Sequence, residues 1–531
     1  MERTLYHNAD ILTQNPHRPQ ASAAVVENGK FLAVGDDEVF VNFKNSSTCV
    51  DAGGQIILPG FNDAHIHLWK IGQLESFLLD LRGIRSIKAI QELLKKSVAS
   101  LPEGTWIMGR GFNEQVLEEN RMPDKNDLDE VSTRHPIYLI RTCAHIASVN
   151  SLALQNAKVE ETTPVPAGGV IGKDAKGKLT GVVYETALGL ITKHIPQPTQ
   201  QQYEQMIALG IQKMLSLGIT SVTDPAAHPE LLQAYHHIAN NKKEKIRLNV
   251  FPILLPDGGD QPYPLPELYR SDFLNIDTVK FFSDGGLSGQ TAAVSRPYKN
   301  STSQGVLRLN PDQYYNLASE AQQKGFRIAT HAIGDAAIDL VIKTYKKLYA
   351  HYGDQRNRIE HFGLPTTVHV DEMATYQFVA VPQPVFLHEL GENFFSALDE
   401  AYLKFCYPVK SLLKKNIPVA FSTDGPVVSN INPFCNIKDA ILRKTAGGKI
   451  ISPGESISLE EALHAYTVGS AYAERKEHIK GKILEGHLAD FIMTDKNPLA
   501  VKTEELDSIQ VNETYVDGKC LWKKTISSSN R

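Results

Sequence analysis

Downstream of Gly218 the chain settles into a rhythm of short apolar runs that end in polar residues, separated by longer amphipathic stretches. Runs at 219–223, 247–254, 278–282, 327–330, 358–360, 378–381 and 418–422 have the length and composition of strands, and an earlier run at 56–64 makes eight. Intervening stretches such as 311–325 and 335–349 carry apolar residues at helical spacing. Each helix supplies the crossover that two parallel strands require. Eight such units predict an α/β fold, a (β/α)8 barrel of TIM type, with its chemistry at the carboxyl ends of the strands.

The chain has 531 residues, more than the roughly 250 such a barrel needs. Both ends are rich in short β-prone segments. Near the start they flank Asn28-Gly29, and near the end they flank Asp517-Gly518, two dipeptides suited to tight hairpins. The two ends are therefore expected to build one small discontinuous β-rich domain, 1–55 with 478–531, around a barrel at 56–477. Between the first and second barrel strands lie about 150 residues, far more than one helix and its loops use. An inserted subdomain at about 75–205 is expected there, shaping the substrate pocket.

Hydrophobic residues make up 42% of the chain and charged residues 22%, which excludes extensive disorder. A formal net charge of -5 gives no electrostatic reason to expect nucleic acid or an anionic membrane as partner. No run of about 18 apolar residues suggests a transmembrane helix, and the amino-terminal residues do not read as a secretory signal. The five cysteines (Cys49, Cys143, Cys406, Cys435, Cys520) are odd in number and form no C-x-x-C pair, so a reduced, cytoplasmic compartment is expected.

The chemistry is concentrated where the predicted strands end. In Pro59-Gly-Phe-Asn-Asp-Ala-His65-Ile-His67, the two histidines share one face of an extended segment and can meet on one metal ion. Asp63 is placed to buttress an imidazole or the local turn. His-x-His alone is weak evidence for a metal, and its company decides the matter. Lys280 lies in the fourth strand, His331 ends the fifth, Glu360-His361 the sixth and Asp424 the eighth. Glu360, next to His361 on a strand, is expected to face the other way and to act in support. Arg110, in Gly109-Arg-Gly111, suits either a substrate carboxylate or a structural ion pair. His145 and Asn150 are read either as pocket-lining groups or as interior hydrogen-bonding groups. Phosphate-loop, dinucleotide and serine-nucleophile signatures are absent.

Together these motifs, with Asn150-Ser151, Val279-Lys-Phe-Phe-Ser-Asp-Gly285, His331-Ala-Ile-Gly-Asp335, Arg358-Ile-Glu-His361 and Ser422-Thr-Asp-Gly425, resemble the metal-dependent amidohydrolase superfamily. Within it they are similar to the YtcJ-like branch that includes N-substituted formamide deformylases. The resemblance implies His65, His67, Lys280, His331 and His361 as metal ligands and Asp424 as the catalytic carboxylate, also touching the metal. It implies a divalent metal, zinc by donor type, as one or two ions. A protonated lysine cannot ligate, so the resemblance implies that carbon dioxide converts Lys280 to N6-carboxylysine, a bridge between two ions; the alternative is an ammonium paired with Asp284 or a substrate carboxylate. The implied reaction is hydrolysis of a non-peptide C–N bond in a small amide or N-substituted formamide, by a metal-activated water with Asp424 as general base and then acid. A heterocycle deaminase or cyclic-amide hydrolase on the same site, and a non-catalytic binding protein on the same scaffold, are the rivals. A homodimer is a family-level expectation. Gly286, Ala336 and Phe112-Asn113 depart from the branch's usual pattern, which leaves the substrate open while every implied ligand is retained.

Overall fold

The computed structural model describes residues 3–525, apart from 142–145, 167–168, 186, 242–244 and 257–260. They divide into two compact units, Met1–Leu68 with Gly210–Arg531, and Trp69–Leu209.

In the larger unit, parallel strands alternate with helices in a TIM-barrel-type arrangement. The strands are β1 (Phe61–Asp63), β2 (Ile219–Ala227), β3 (Arg247–Pro252), β4 (Thr278–Phe282), β5 (Arg327–Ala332), β6 (Arg358–His361) and β7 (Val379–Val381). Parallel ladders join β1 to β2, β2 to β3, and β4 through β7 in order. A single bridge, Ile253 to Lys280, connects the β3 edge to β4, and another, Ala380 to Val419, extends β7. The Ala64 amide donates to Phe421 O (3.1 Å), which brings segment 418–422 back to the end of β1.

Two departures from the sequence pattern have local causes. The run at 56–64 is two strands. Ile56–Pro59 pairs with Asp10–Leu12 and Phe491–Thr494 in a separate sheet, while β1 pairs with β2. Gly60 is the corner, where a Cβ would lie 2.3 Å from the Thr220 side chain. The eighth strand is reduced to its bridge, because Pro418 has no amide to donate and the Phe421 amide goes to Ala465 O (3.1 Å) instead.

Helices cover the outside of the ladders. Pro311–Gln323 begins at Asn310, whose side chain accepts from the amides of Asp312 and Gln313 and so satisfies two orphan donors. Asp335–Tyr352 buries Ile338, Val341, Ile342, Tyr345 and Leu348, each worth about 1.5–3 kcal/mol when taken from water. The Tyr345 hydroxyl reaches Arg358 O (2.8 Å), tying this helix to β6.

Strands from both chain ends share one sheet, in the order Lys519–Lys523, Val511–Val516, Phe491–Thr494, Ile56–Pro59, Asp10–Leu12, Gln20–Ala21. A second sheet of four strands contains Arg3–His7, Ala23–Glu27, Lys30–Gly35 and Thr48–Asp51. Tyr6, Phe31, Phe491 and Tyr515 fill the core between them, with Phe491 and Tyr515 stacked at 4.3 Å. Asn28 and Gly29 (φ 52° and 74°) make the turn between Ala23–Glu27 and Lys30–Gly35, and Asp517 and Gly518 (φ 55° and 72°) make that between Val511–Val516 and Lys519–Lys523.

The smaller unit, Trp69–Leu209, has its own six-stranded sheet, ordered Gly169–Lys173, Leu179–Glu185, Ile146–Val149, Ile137–Arg141, Ile107–Phe112, Leu78–Asp80. Alternate residues along Ile137–Arg141 feed two separate cores. Tyr138 joins Val149, Leu154 and Val183, while Ile137 and Leu139 join Ile90, Leu94 and Phe112. Both faces of this sheet are therefore covered. No helix among the described residues is long and apolar enough to cross a membrane.

Candidate metal centre

The His-x-His segment leaves the β1 ladder and is pinned residue by residue to its neighbours. Ile66 donates to Thr223 O (2.9 Å), His67 to Gly425 O (2.9 Å), and Asp424 donates back to His65 O (2.8 Å). Asp63 acts on the turn. Its carboxylate accepts from the amides of His65 (3.1 Å) and Thr423 (3.2 Å) and from the Thr423 hydroxyl (2.6 Å), locking the ends of β1 and segment 418–422 together. As a result Asp424 Oδ1 lies 3.4 Å from both His65 Nε2 and His67 Nε2. Donor atoms of His65, His67 and Asp424 all lie within 4.8 Å of one another, a spacing that suits a single metal ion.

The surrounding groups aim these donors. His65 Nδ1 bonds Glu360 Oε2 at 2.6 Å, and Glu360 is held by Arg358 Nε (2.8 Å) and Nη2 (3.0 Å). All three residues are buried. Burial would raise the Glu360 carboxyl, but Arg358, the His65 hydrogen bond and Lys280 outweigh it and hold the group well below the usual range. An ionised Glu360 keeps the proton on His65 Nδ1 and leaves the Nε2 lone pair toward Asp424. His361 Nδ1 meets Gln383 Oε1 at 2.7 Å. The Gln383 amide nitrogen donates to Val381 O and Ser422 Oγ (2.8 Å each), so its oxygen must face the ring and His361 too presents Nε2. Burial, with Lys280 adding, pushes His65 down to about 4. Burial and the neighbouring His331 push His361 well down. Neutral imidazoles are the ligating form. For Asp424 burial acts upward, and the contacts with His67, His65 and His361 win, so the carboxylate lies below its ordinary range.

The remaining expected ligands lie on the same rim, less tightly gathered. The His361 ring centroid is 5.1 Å from that of His65 and 4.4 Å from that of His331. His331 Nε2 contacts Gly285 O (3.1 Å) and Asp284 Oδ1 (3.3 Å). Asp284 also accepts from the amides of Ala293 (2.9 Å), Ile333 (3.1 Å) and Gly334 (2.8 Å), so it organises the loops after β4 and β5. Lys280 is fully buried, its ammonium 5.0 Å from the Phe282 ring and within electrostatic reach of His65, Glu360 and His361.

The amidohydrolase family's sequence model matches residues 48–522. The chain belongs to the amidohydrolase family. Its relative YtcJ of Bacillus subtilis (strain 168), named as an amidohydrolase, is 29% identical over 535 residues, covering 98% of this chain and 100% of YtcJ. The N-substituted formamide deformylase of Arthrobacter pascens is 27% identical over 540 residues, covering 98% of each chain. Among solved structures, an uncharacterized metal-dependent hydrolase from Pyrococcus furiosus superposes with a TM-score of 0.78 at 27% identity, covering 94% of this chain and 100% of that one. This amidohydrolase is thus a hydrolase of carbon–nitrogen bonds, with metal-dependent neighbours.

The expected substrate contacts fall in the smaller unit of the amidohydrolase. Asn150 is fully buried. Its side-chain oxygen accepts from Ala153 N and Ile137 N (3.0 Å each), and its nitrogen donates to Ser132 O and His135 O (2.9 Å each). Of its two sequence readings, the interior one describes these bonds, which occupy the amide as a helix cap. Arg110 is half-buried on Ile107–Phe112, and among the described residues its guanidinium makes no hydrogen bond or ion pair. His145 lies outside the described residues.

One orientation is corrected. Glu360 does not face away from His361, since both side chains reach His65. His361 and Phe362 take φ of 71° and 48°, and this left-handed pair breaks strand alternation just where the ligand is needed. Sequence reasoning also passed over Asp224 and Gln383. Asp224 ends the apolar run 219–223, is fully buried, bonds the Tyr235 hydroxyl, and lies 3.8 Å from His67 Nδ1. Its position as a carboxylate directly after the apolar run 219–223, still within β2, was the available signal. Gln383 follows β7 and had none.

Proposed function

We propose that this amidohydrolase hydrolyses the C–N bond of a small amide or N-substituted formamide, using water activated at the His65–His67–Asp424 centre. The observation that carries this reading is Asp424 Oδ1, 3.4 Å from two imidazoles whose other nitrogens face carboxylates. The residues fit a divalent ion, zinc by donor type, held by His65, His67 and Asp424, with His361, His331 and carboxylated Lys280 as the donors for a second. When bound, such an ion lowers the pKa of water to about 7 and polarises a carbonyl.

The chain's own groups do the proton work. Asp424 is ionised at neutral pH because three histidines outweigh its burial. It accepts the proton of the attacking water and delivers it to the departing amine nitrogen, work worth about 10²–10⁴ in rate. Glu360 and Gln383 hold His65 and His361 in the tautomers that leave Nε2 available. Leu287, Ile333, Phe386 and Val428 belong to one buried apolar cluster next in sequence or space to the site residues, which favours a substrate with an apolar substituent. The test is elemental analysis of purified protein with a screen of N-formyl and N-acyl amines, hydantoins and cytosine-like heterocycles. Bound divalent metal and turnover of linear amides are expected. Activity in metal-free protein would sink the mechanism, and turnover confined to heterocycles would reassign the substrate.

A further inference from the structure

Tyr407 is 1% exposed, and its hydroxyl has no hydrogen-bond partner among the described residues. The rest of the residue is held from several sides. Its amide donates to Gly363 O (2.7 Å), its carbonyl accepts from Val409 N (2.9 Å) and Arg443 Nη1 (3.2 Å), and its backbone sits at φ 47°. The ring stacks on Phe394 (6.3 Å, 16°) and meets Phe386 edge-on (6.2 Å, 84°). Phe386 in turn lies against the His361 ring at 6.1 Å.

These contacts place the phenol at the metal rim. A Cβ on Gly363 would lie 3.3 Å from Tyr407 Cζ and 3.0 Å from Ile333 Cγ2. Gly363 is two residues past His361, and Ile333 is two past His331. The hydroxyl-bearing end of the ring therefore abuts the carboxyl ends of β5 and β6. Burial, then Cys406, Asp424 and Asp284, hold the phenol well above its ordinary range, so it keeps its proton. A buried hydroxyl with no acceptor is destabilising, and such groups in native folds call for a reason.

We propose that the Tyr407 hydroxyl is a further catalytic group, donating a hydrogen bond to the substrate carbonyl oxygen as that oxygen gains charge on water attack. The phenol donates and retains its proton. The inference rests on the hydrolytic reading above and adds a donor built into the chain at the reacting carbonyl.

The test compares zinc-loaded, full-length wild type with Tyr407→Phe, which keeps the ring packing. We expect kcat to fall about 100-fold with KM nearly unchanged. Acetohydroxamate, a zinc-binding probe that carries a carbonyl oxygen, is expected to bind about tenfold more weakly by calorimetry. Metal content and unfolding midpoint should not fall, since no hydrogen bond of the folded chain is removed. Unchanged kcat with unchanged acetohydroxamate affinity overturns the inference, as does a lowered midpoint with parallel metal loss. Should the wild type hydrolyse no amide, the hydrolytic reading fails separately. The acetohydroxamate comparison then decides for Tyr407, with weaker binding sustaining the donor and equal binding refuting it.

Discussion

The two sides of the rim are assembled by different forces. On one side, His65 and His67 close on Asp424 at 3.4 Å, with Glu360 and Arg358 behind His65 and Asp224 behind His67. There the hydrogen bond from His65 to Glu360 and the backbone bonds at Ile66, His67 and Asp424 hold the donors in place. On the other side, His331 turns Nε2 to Gly285 O, and Lys280 adds a cation that discourages protonation of His65 and His361. Neutral rings and a positive charge have no reason to converge. The first half is preorganised in the structure, whereas under the proposed reading the second is completed by an ion and by carboxylation of Lys280.

The largest effect should come from the group that binds the first half together. Asp424→Asn keeps the shape but removes the charge and the proton acceptor. With zinc in excess, kcat on whichever amide the wild type turns over is expected to fall about 10³-fold. A loss under tenfold would mean that Asp424 positions and does not transfer the proton.

A direct way to break the comparison is to delete one histidine from each side and count metal. His65→Ala should empty the first position and lose most bound ion. His331→Ala should keep about one equivalent, because the triad it leaves is self-sufficient. Elemental analysis after dialysis against a weak chelator reads both. Equal loss from the two variants would show that the sides form one cooperative unit.

How much of this was legible in the sequence follows the same division. His65, His67, His331, His361 and Asp424 are readable because each sits at or just past the end of an apolar run, Lys280 because it is a lone cation inside one, and barrel topology brings such strands to one rim. Glu360 was misoriented because strand alternation was assumed through His361, where the left-handed backbone interrupts it. Gln383 and Tyr407 carry no pattern at all; Gln383 follows β7 and Tyr407 follows the short helix Glu400–Leu403, and only tertiary contacts place them. The 56–64 run looked continuous because Gly60 changes the strand's partner sheet without changing its apolar character.

The finest test concerns what stands behind the ligands. Glu360 and Gln383 do the same geometric job, each receiving an Nδ1–H from a site histidine. Glu360 does it with a charge that Arg358 and Lys280 keep ionised, and a charge-assisted hydrogen bond is about twice as strong as a neutral one. Replacing an outer partner of this kind costs about 10–100-fold in metal affinity. Glu360→Gln should therefore sit near the upper end of that range and Gln383→Leu near the lower, measured by competition with a chromogenic chelator. Of the two, Glu360→Gln also leaves the buried Arg358 without its counter-charge, so it alone should lower the unfolding midpoint of the metal-free chain. If Gln383→Leu proves the more damaging, the charge behind His65 is not what distinguishes the preorganised half, and its order must come from the backbone bonds at Ile66, His67 and Asp424 alone.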